Sequence, residues 1–251
     1  MGFLTGKKIV VMGVANKRSI AWGCAQAITE QGGEVIYTYQ NDRMKKSLEK
    51  ILNGDEYLVE CDVADDDSIK SAFEQIKDYA GEINGVVHAV AFADKNDLQG
   101  NVSDISRKGY ALAQDISSYS LIAVTHYAKP LLAKGSGIVT LTYFGSQRSV
   151  PNYNMMGIAK ASLEAAVRYL ATELAQDQVH VNAISAGAVK TLAVTGVKDY
   201  QKLIQLSQDR TADEVSVTTN EIGNVCAFLV SSLASGVIGE TVFVDKGVHL
   251  S

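Results

Sequence analysis

Two phenols and an amine stand in series at Tyr143, Tyr153 and Lys160, within YFGSQRSVPNYNMMGIAK at 143 to 160. Tyr153 and Lys160 are seven positions apart, about two turns if a helix starts near Tyr153, so their side chains would share one face. A free phenol titrates near pH 10 (roughly) and donates poorly at neutral pH unless its surroundings help, and a neighbouring ammonium lowers it. Tyr153 could then donate to an oxygen that gains negative charge during a reaction, with Lys160 supplying the field. Eleven tyrosines in 251 residues also produce accidental spacings, so the series has meaning only if the rest of the chain puts it at a site.

The elements that would position it are legible as apolar runs alternating with helical periods. KKIVVM (7 to 12), EVIYTY (34 to 39), YLVEC (57 to 61), GVVHAV (85 to 90), GIVTLT (137 to 142), VHVNAIS (179 to 185) and TVFVD (241 to 245) read as short buried strands. Helical periodicity covers 19 to 31, 65 to 79, 106 to 133, 154 to 176 and 220 to 232, with Asp65 or Asp66 and Thr219 or Asn220 as caps. Strands alternating with helices imply right-handed crossovers, and so an α/β, Rossmann-like doubly wound parallel sheet of about seven strands. The length suits one domain spanning 1–251.

Composition narrows the chemistry. A net charge of -5 without a basic stripe argues against nucleic acid as a partner. No apolar run approaches the roughly 18 residues of a membrane span, and MGFLTGKKIVVMGVA lacks the pattern of a signal peptide, so the expected location is the cytoplasm. Cys24, Cys61 and Cys226 form no CxxC pairing, and His88, His126, His180 and His249 have no ligand spacing, so no metal is expected. No G-x-S-x-G is present, which argues against an α/β-hydrolase.

In a doubly wound sheet, ligands sit beyond the C-terminal strand ends at the topological switch point. GVANKRSIAWG follows the first strand: Gly13 ends the strand, Ser19 opens the helix and Gly23 lies one turn inside. A glycine turn lets backbone approach a phosphate, and the helix start offers unpaired N–H groups. Ala15 and Arg18 replace two glycines of G-x-G-x-x-G, and an ordinary strand-to-helix turn is the competing reading. Gln40, in TYQNDR, holds the ribose-binding place after the second strand. Its neutral amide can bond ribose hydroxyls but offers no charge to a 2′-phosphate, which favours NADH over NADPH. Arg43, Lys45 and Lys46 keep NADPH open, although they also suit a solvated helix face. Asp62, with Val63 beside it, could accept from adenine or merely cap a helix.

Taken in order, GVANKRSIAWG, TYQNDR, CDV, HAVAFA, AQDISSYS, Tyr143 with PNYNMMGIAKASLEA, VNAISAG and KTLA resemble the bacterial NADH-dependent enoyl-acyl-carrier-protein reductases, a branch of the short-chain dehydrogenase/reductase family. Ketone-reducing members place three residues between tyrosine and lysine. Here six intervene, as in the enoyl reductases. The resemblance implies reduction of a trans-2-enoyl thioester in fatty-acid synthesis, hydride passing from NADH to the β-carbon and leaving an enolate at the thioester oxygen. It gives Tyr153 the hydrogen bond to that oxygen, Lys160 the nicotinamide ribose, and Tyr143 the acyl pocket. It implies cofactor contacts at Gly13, Ser19, Ile20, Gln40, Asp62, Val63, Val90, Lys160 and the run Val189, Lys190, Thr191, Leu192 and Ala193, with Ala93 touching substrate. It also implies a homotetramer whose long helices, 106 to 133 and 154 to 176 here, pack between subunits, although their apolar faces suit the monomer core equally, and a substrate helix near 193–210. Lys198 and Lys202 could receive an acyl carrier protein there or simply serve solubility.

The chain departs from the pattern in three places. Ala188 replaces a proline, Ala89 a serine, and TADEVSV at 211 to 217 a stretch with a basic pair, so that Asp213 and Glu214 reverse the charge. If that surface meets the carrier, docking should weaken. A reductase or isomerase of thioesters outside fatty-acid synthesis, or a nucleotide sensor without turnover, are the alternatives; the triad of Tyr143, Tyr153 and Lys160 argues against the sensor.

Overall fold

A computed structural model describes residues 2–189, 191 and 200–250, apart from the side chains of 200, 202 and 203. Among them lies a seven-stranded parallel sheet: β1 (Lys8–Met12), β2 (Glu34–Tyr39), β3 (Tyr57–Glu60), β4 (Ile83–His88), β5 (Leu132–Thr142), β6 (His180–Ala186) and β7 (Thr241–Val244), in the order β3-β2-β1-β4-β5-β6-β7. The order reverses between β1 and β4, where Met12 pairs with His88. A crevice at the C-terminal strand ends is therefore centred on Gly13 and Ala89.

Alternation along the strands divides the core in two. Val10, Met12, Ile36, Val86 and Ile138 face one side and pack with α3 (Asp66–Ala80), α6 (Ser120–Ala128) and α7 (Asn154–Leu174). Ile9, Val11, Val35, Val87, Val139 and Ile184 face the other, against α1 (Ile20–Glu30) and a helix over Thr219–Val230. That last pair packs backbone to backbone: a Cβ on Gly23 would run into the Thr219 carbonyl, and one on Gly223 into the carbonyl of Gly23. Cys24 and Cys226 are buried in the same layer.

Several boundaries differ from the sequence reading. The helix expected over 106 to 133 is α5 (Arg107–Gln114), a π-helical turn (Asp115–Tyr119), α6 and a short 3-10 turn. Within the π-helical turn Ser117 Oγ accepts from Phe92 N and donates to Phe92 O, both at 2.9 Å, and Pro130, which cannot donate a backbone bond, sits in the terminating turn. β5 begins at once afterwards, five residues earlier than GIVTLT suggested. α2 (Asp42–Glu49) has only Leu48 buried and so carries little apolar periodicity; its Asn41 cap accepts from Met44 N. α4 is the single turn Lys95–Leu98. α8 (Tyr200–Gln208) covers the later part of the expected substrate helix. The final helix, α9 (Thr219–Val230), is capped by Thr218 rather than Thr219 or Asn220, because Glu221 at the third helical position closes a capping box with it.

His88 is enclosed between Thr140 Oγ1 (3.0 Å) and Ser120 Oγ (2.8 Å), and burial, with Lys160 nearby, pushes its imidazole down to about 3. A folded value below the unfolded one contributes stability above about pH 6.5 that is lost as pH falls toward the folded value. Between pH 7.5 and pH 5 this single group should cost about 2 kcal/mol of unfolding free energy. Urea unfolding of the wild type and His88→Gln at both values checks this: the variant's loss on acidification should be smaller by that amount.

Candidate active site

At the switch point Gly13 has φ 88°, and a side chain there would strike the Ala89 carbonyl, so glycine is what lets β1 and β4 end together. The loop beyond is held by its own bonds: Ser19 Oγ donates to Asn16 O at 2.7 Å and accepts from Trp22 N, while Arg18 N donates to Asn16 Oδ1 at 2.7 Å. Ser19, Ile20 and Ala21 line a cavity of about 360 Å³; Ser19 N donates to Asn16 O at 3.0 Å, and the amides of Ile20 and Ala21 in the first turn have no intrahelical acceptor. This cradle, with backbone exposed at Gly13 and amides at a helix start, fits a pyrophosphate.

A second cavity of about 330 Å³ adjoins it and carries Gln40, Asp62 and Val63 together with Met44, Phe92 and Ile116. Gln40 Nε2 donates to Asp62 Oδ2 at 3.3 Å, so the two polar groups expected at the adenosine end meet. Asp62 also accepts from Ala64 N. Lys45 lies over the Tyr39 ring at 5.6 Å, and Arg43 and Lys46 are exposed. The carboxylate beside Gln40 opposes a 2′-phosphate, in keeping with NADH.

Tyr143, Tyr153, Met156 and Lys160 line the first cavity, with Val90 shared between the two. Tyr153 caps α7, and its ring meets that of Tyr143 edge to face, centroids 5.0 Å apart. Gly145 makes room for both: a Cβ there would come within 2.7 Å of the Tyr153 ring and 3.1 Å of Tyr143. Lys160 Nζ donates to Leu141 O at 2.7 Å. Only 7% of Lys160 is exposed, and burial brings its ammonium down to about 8 against the attraction of Glu164.

The tyrosines differ from expectation in one respect. Burial raises the Tyr153 phenol, with Tyr143 and Glu164 adding to the effect, instead of Lys160 lowering it. Burial likewise pushes Tyr143 up to about 12, with Arg210 opposing and Asp245 adding. Removing a phenolate from water costs more than an ammonium turned toward a carbonyl returns. Both rings are therefore hydrogen-bond donors at neutral pH.

Val189 and Thr191 line the first cavity beside Ala188, whereas Lys190, Leu192 and Ala193 lie outside the described residues, as do Lys198 and the Lys202 side chain. Ala93 lines neither cavity; it packs beside Ala113, Met155 and Ala159. The acidic segment is tied inward: Lys246 Nζ bonds Asp213 Oδ2 at 2.8 Å and lies 3.4 Å from Glu221. Half of the reversed charge is thus met within the chain, leaving Glu214 exposed. Gly145, Asn16 and Glu164 were missed by sequence reasoning. Of these only Glu164 left a signal, one turn beyond Lys160 on the same helix face. Among the described residues no His, Cys, Asp or Glu cluster could hold a metal, and no helix is long and apolar enough to cross a membrane.

A doubly wound sheet with a phosphate cradle, an adenosine cleft and a tyrosine–lysine pair at one crevice is the arrangement of a nicotinamide-dependent oxidoreductase. The family described as enoyl-(acyl carrier protein) reductase matches residues 13–249. The chain is 68% identical to the enoyl-acyl-carrier-protein reductase (NADH) FabI of Enterococcus faecalis, covering 99% of this chain and 100% of that protein. It is 46% identical to the NADPH counterpart of Staphylococcus aureus strain MRSA252, over 98% of each. The crystal structure of the Bacillus cereus enoyl-acyl carrier protein reductase with NADP+ and an indole naphthyridinone superposes with a TM-score of 0.96 at 44% identity, covering 100% of this chain and 99% of that one. The chain belongs to the enoyl-acyl-carrier-protein reductase family.

Proposed function

We propose that the protein reduces trans-2-enoyl thioesters borne on acyl carrier protein, with NADH as reductant, in fatty-acid synthesis. The observation that carries the catalytic reading is the convergence of Tyr143, Tyr153 and Lys160 on the cavity that begins at Gly13 and the first turn of α1. When bound, NADH supplies hydride to the substrate's β-carbon. Gly13, Ser19 and Ile20 hold its pyrophosphate, Gln40, Asp62 and Val63 its adenosine, and Val90, Val189 to Ala193 and Lys160 its nicotinamide half. Tyr153, kept protonated by burial, donates to the thioester oxygen as that oxygen gains charge. Tyr143 orients the acyl chain from the adjoining wall. Lys160 adds positive charge beneath the developing enolate, whose α-carbon is protonated to complete the product.

A homotetramer in the cytoplasm is the assembly we favour. Tyr169 on α7, 81% exposed, with Tyr110, Tyr119 and Ile122 on the α5 to α6 span, supplies apolar surface for partner subunits. Lys198 and Lys202 are the cations proposed to meet the acidic carrier.

NADH oxidation followed with crotonyl and longer trans-2-enoyl thioesters, in parallel on carrier protein and on coenzyme A, tests the reading. Turnover with kcat/KM at least about tenfold higher for NADH than for NADPH is expected, since one charged hydrogen bond is worth about 1.5–3 kcal/mol. Equal values would remove Gln40 and Asp62 as discriminators, and a preference for coenzyme A would assign a different thioester donor. Tight NADH binding without turnover would favour a sensor.

A further inference from the structure

Glu164 is 94% removed from solvent, being only 6% exposed, yet it lines neither cavity. One of its oxygens, Oε1, accepts from Thr142 Oγ1 at 2.7 Å and from Ser146 Oγ at 2.6 Å. Thr142 is the last residue of β5 and Ser146 lies in the turn that follows. Tyr143 stands between these two tethers, while Tyr153 and Lys160 belong to the first turns of the helix that carries Glu164. A single buried carboxylate thus bolts the segment bearing one tyrosine to the helix bearing the other tyrosine and the lysine.

The hydroxyl bonds alone do not demand a charge, because a neutral amide oxygen could accept both. The need for one comes from Lys160. Its ammonium is buried and donates to a neutral carbonyl, Leu141 O. Among the described residues, the titratable groups around it are His88 from β4, neutral at physiological pH, Tyr143 and Tyr153, both protonated, and Glu164 one turn along α7. His180 of β6 is turned to the Leu229 carbonyl. Glu164 is the anion of this set, and a buried cation without one tends to lose its proton.

We propose that Glu164 is a positioning residue of the reductase, clamping the Tyr143 segment onto α7 and serving as the counter-charge of Lys160. The inference rests on the roles assigned to Tyr153 and Lys160 above. It predicts two separable effects: the clamp sets kcat at every pH, and the counter-charge sets the pH above which Lys160 no longer acts.

The test is the titration of Lys160, followed by NMR of the lysine 13Cε resonances in the substrate-free full chain and assigned with Lys160→Arg. It is paired with kcat and KM for NADH from pH 6 to pH 10. In Glu164→Gln the Lys160 midpoint should fall by about one pH unit, the alkaline limb should move with it, and kcat at pH 6 should stay within about threefold of wild type. Glu164→Asp, restoring the charge, should return the midpoint toward the wild-type value. An unmoved midpoint in Glu164→Gln would overturn the counter-charge whether or not the enzyme turns over. Absence of enoyl turnover in the wild type would instead sink the functional reading and leave the titration interpretable. Should E164Q fail to fold, T142V/S146A takes its place: stripping both tethers should lower kcat about tenfold, and a wild-type kcat would overturn the clamp.

Discussion

Tyr153→Phe should lose about 10²- to 10³-fold in kcat, the usual cost of deleting one donor to a developing oxyanion, while NADH affinity stays nearly unchanged. The asymmetry follows from where the hydroxyl sits. Tyr153 caps α7 with its ring against Tyr143, and phenylalanine keeps that edge-to-face contact and the fit against Gly145. Only the donor is removed. Because burial holds the phenol protonated, wild-type kcat should show no acidic or neutral inflection from Tyr153 itself. Steady-state rates together with NADH fluorescence titration decide the matter, and equal kcat in the two proteins would sink Tyr153 as the proton donor.

Lys160→Ala should damage both quantities. Losing a charge-assisted bond to ribose costs about 1.5–3 kcal/mol, or about 10- to 100-fold in NADH affinity, and turnover falls further because the field beneath the enolate goes with it. The substitution also leaves Glu164 as a buried carboxylate facing no cation, so the thermal midpoint should drop as well. Lys160→Met, which fills the space, separates packing from charge: kcat and NADH affinity should stay low in it. Recovery of NADH affinity in Lys160→Met would show that the lysine fills a gap instead of binding ribose.

Much of this was legible in the chain. Apolar runs located the strands because a parallel sheet covered on both faces needs nearly continuous hydrophobic stretches. Ser19 was readable as the opening of α1 and Asp65 as one of two candidate caps of α3, because capping is local chemistry. The errors fell where local patterns underdetermine the outcome. α2 is polar on most of its surface, and the break at 115–119 coincides with Ser117 bonding the Phe92 backbone, 25 positions away. Tyr143, Tyr153 and Lys160 could be singled out because their spacing carried the signal, and the structure brings them to one cavity. The sense of the phenol's shift could not be read from them, since it depends on how much solvent the fold removes. Gly145 matters through Tyr153, eight positions on, as well as through Tyr143, and Glu164 is tethered to Thr142 and Ser146, 22 and 18 positions back. Lys246 answering Asp213 likewise joins places 33 residues apart.

The glycine contact between α1 and α9 gives the cofactor seat an unusual dependence. The height of the α1 N-terminus above the sheet is set by how closely two backbones touch at Gly23 and Gly223, with no side chain between them to adjust. A single methyl at either position would act as a spacer, pushing the amides of Ile20 and Ala21 away from the place proposed for the pyrophosphate. Substitutions at Gly223, which lines neither cavity, should therefore look kinetically like defects of nucleotide affinity. Drift at that helix crossing is coupled to drift in cofactor binding, although the two surfaces share no ligand.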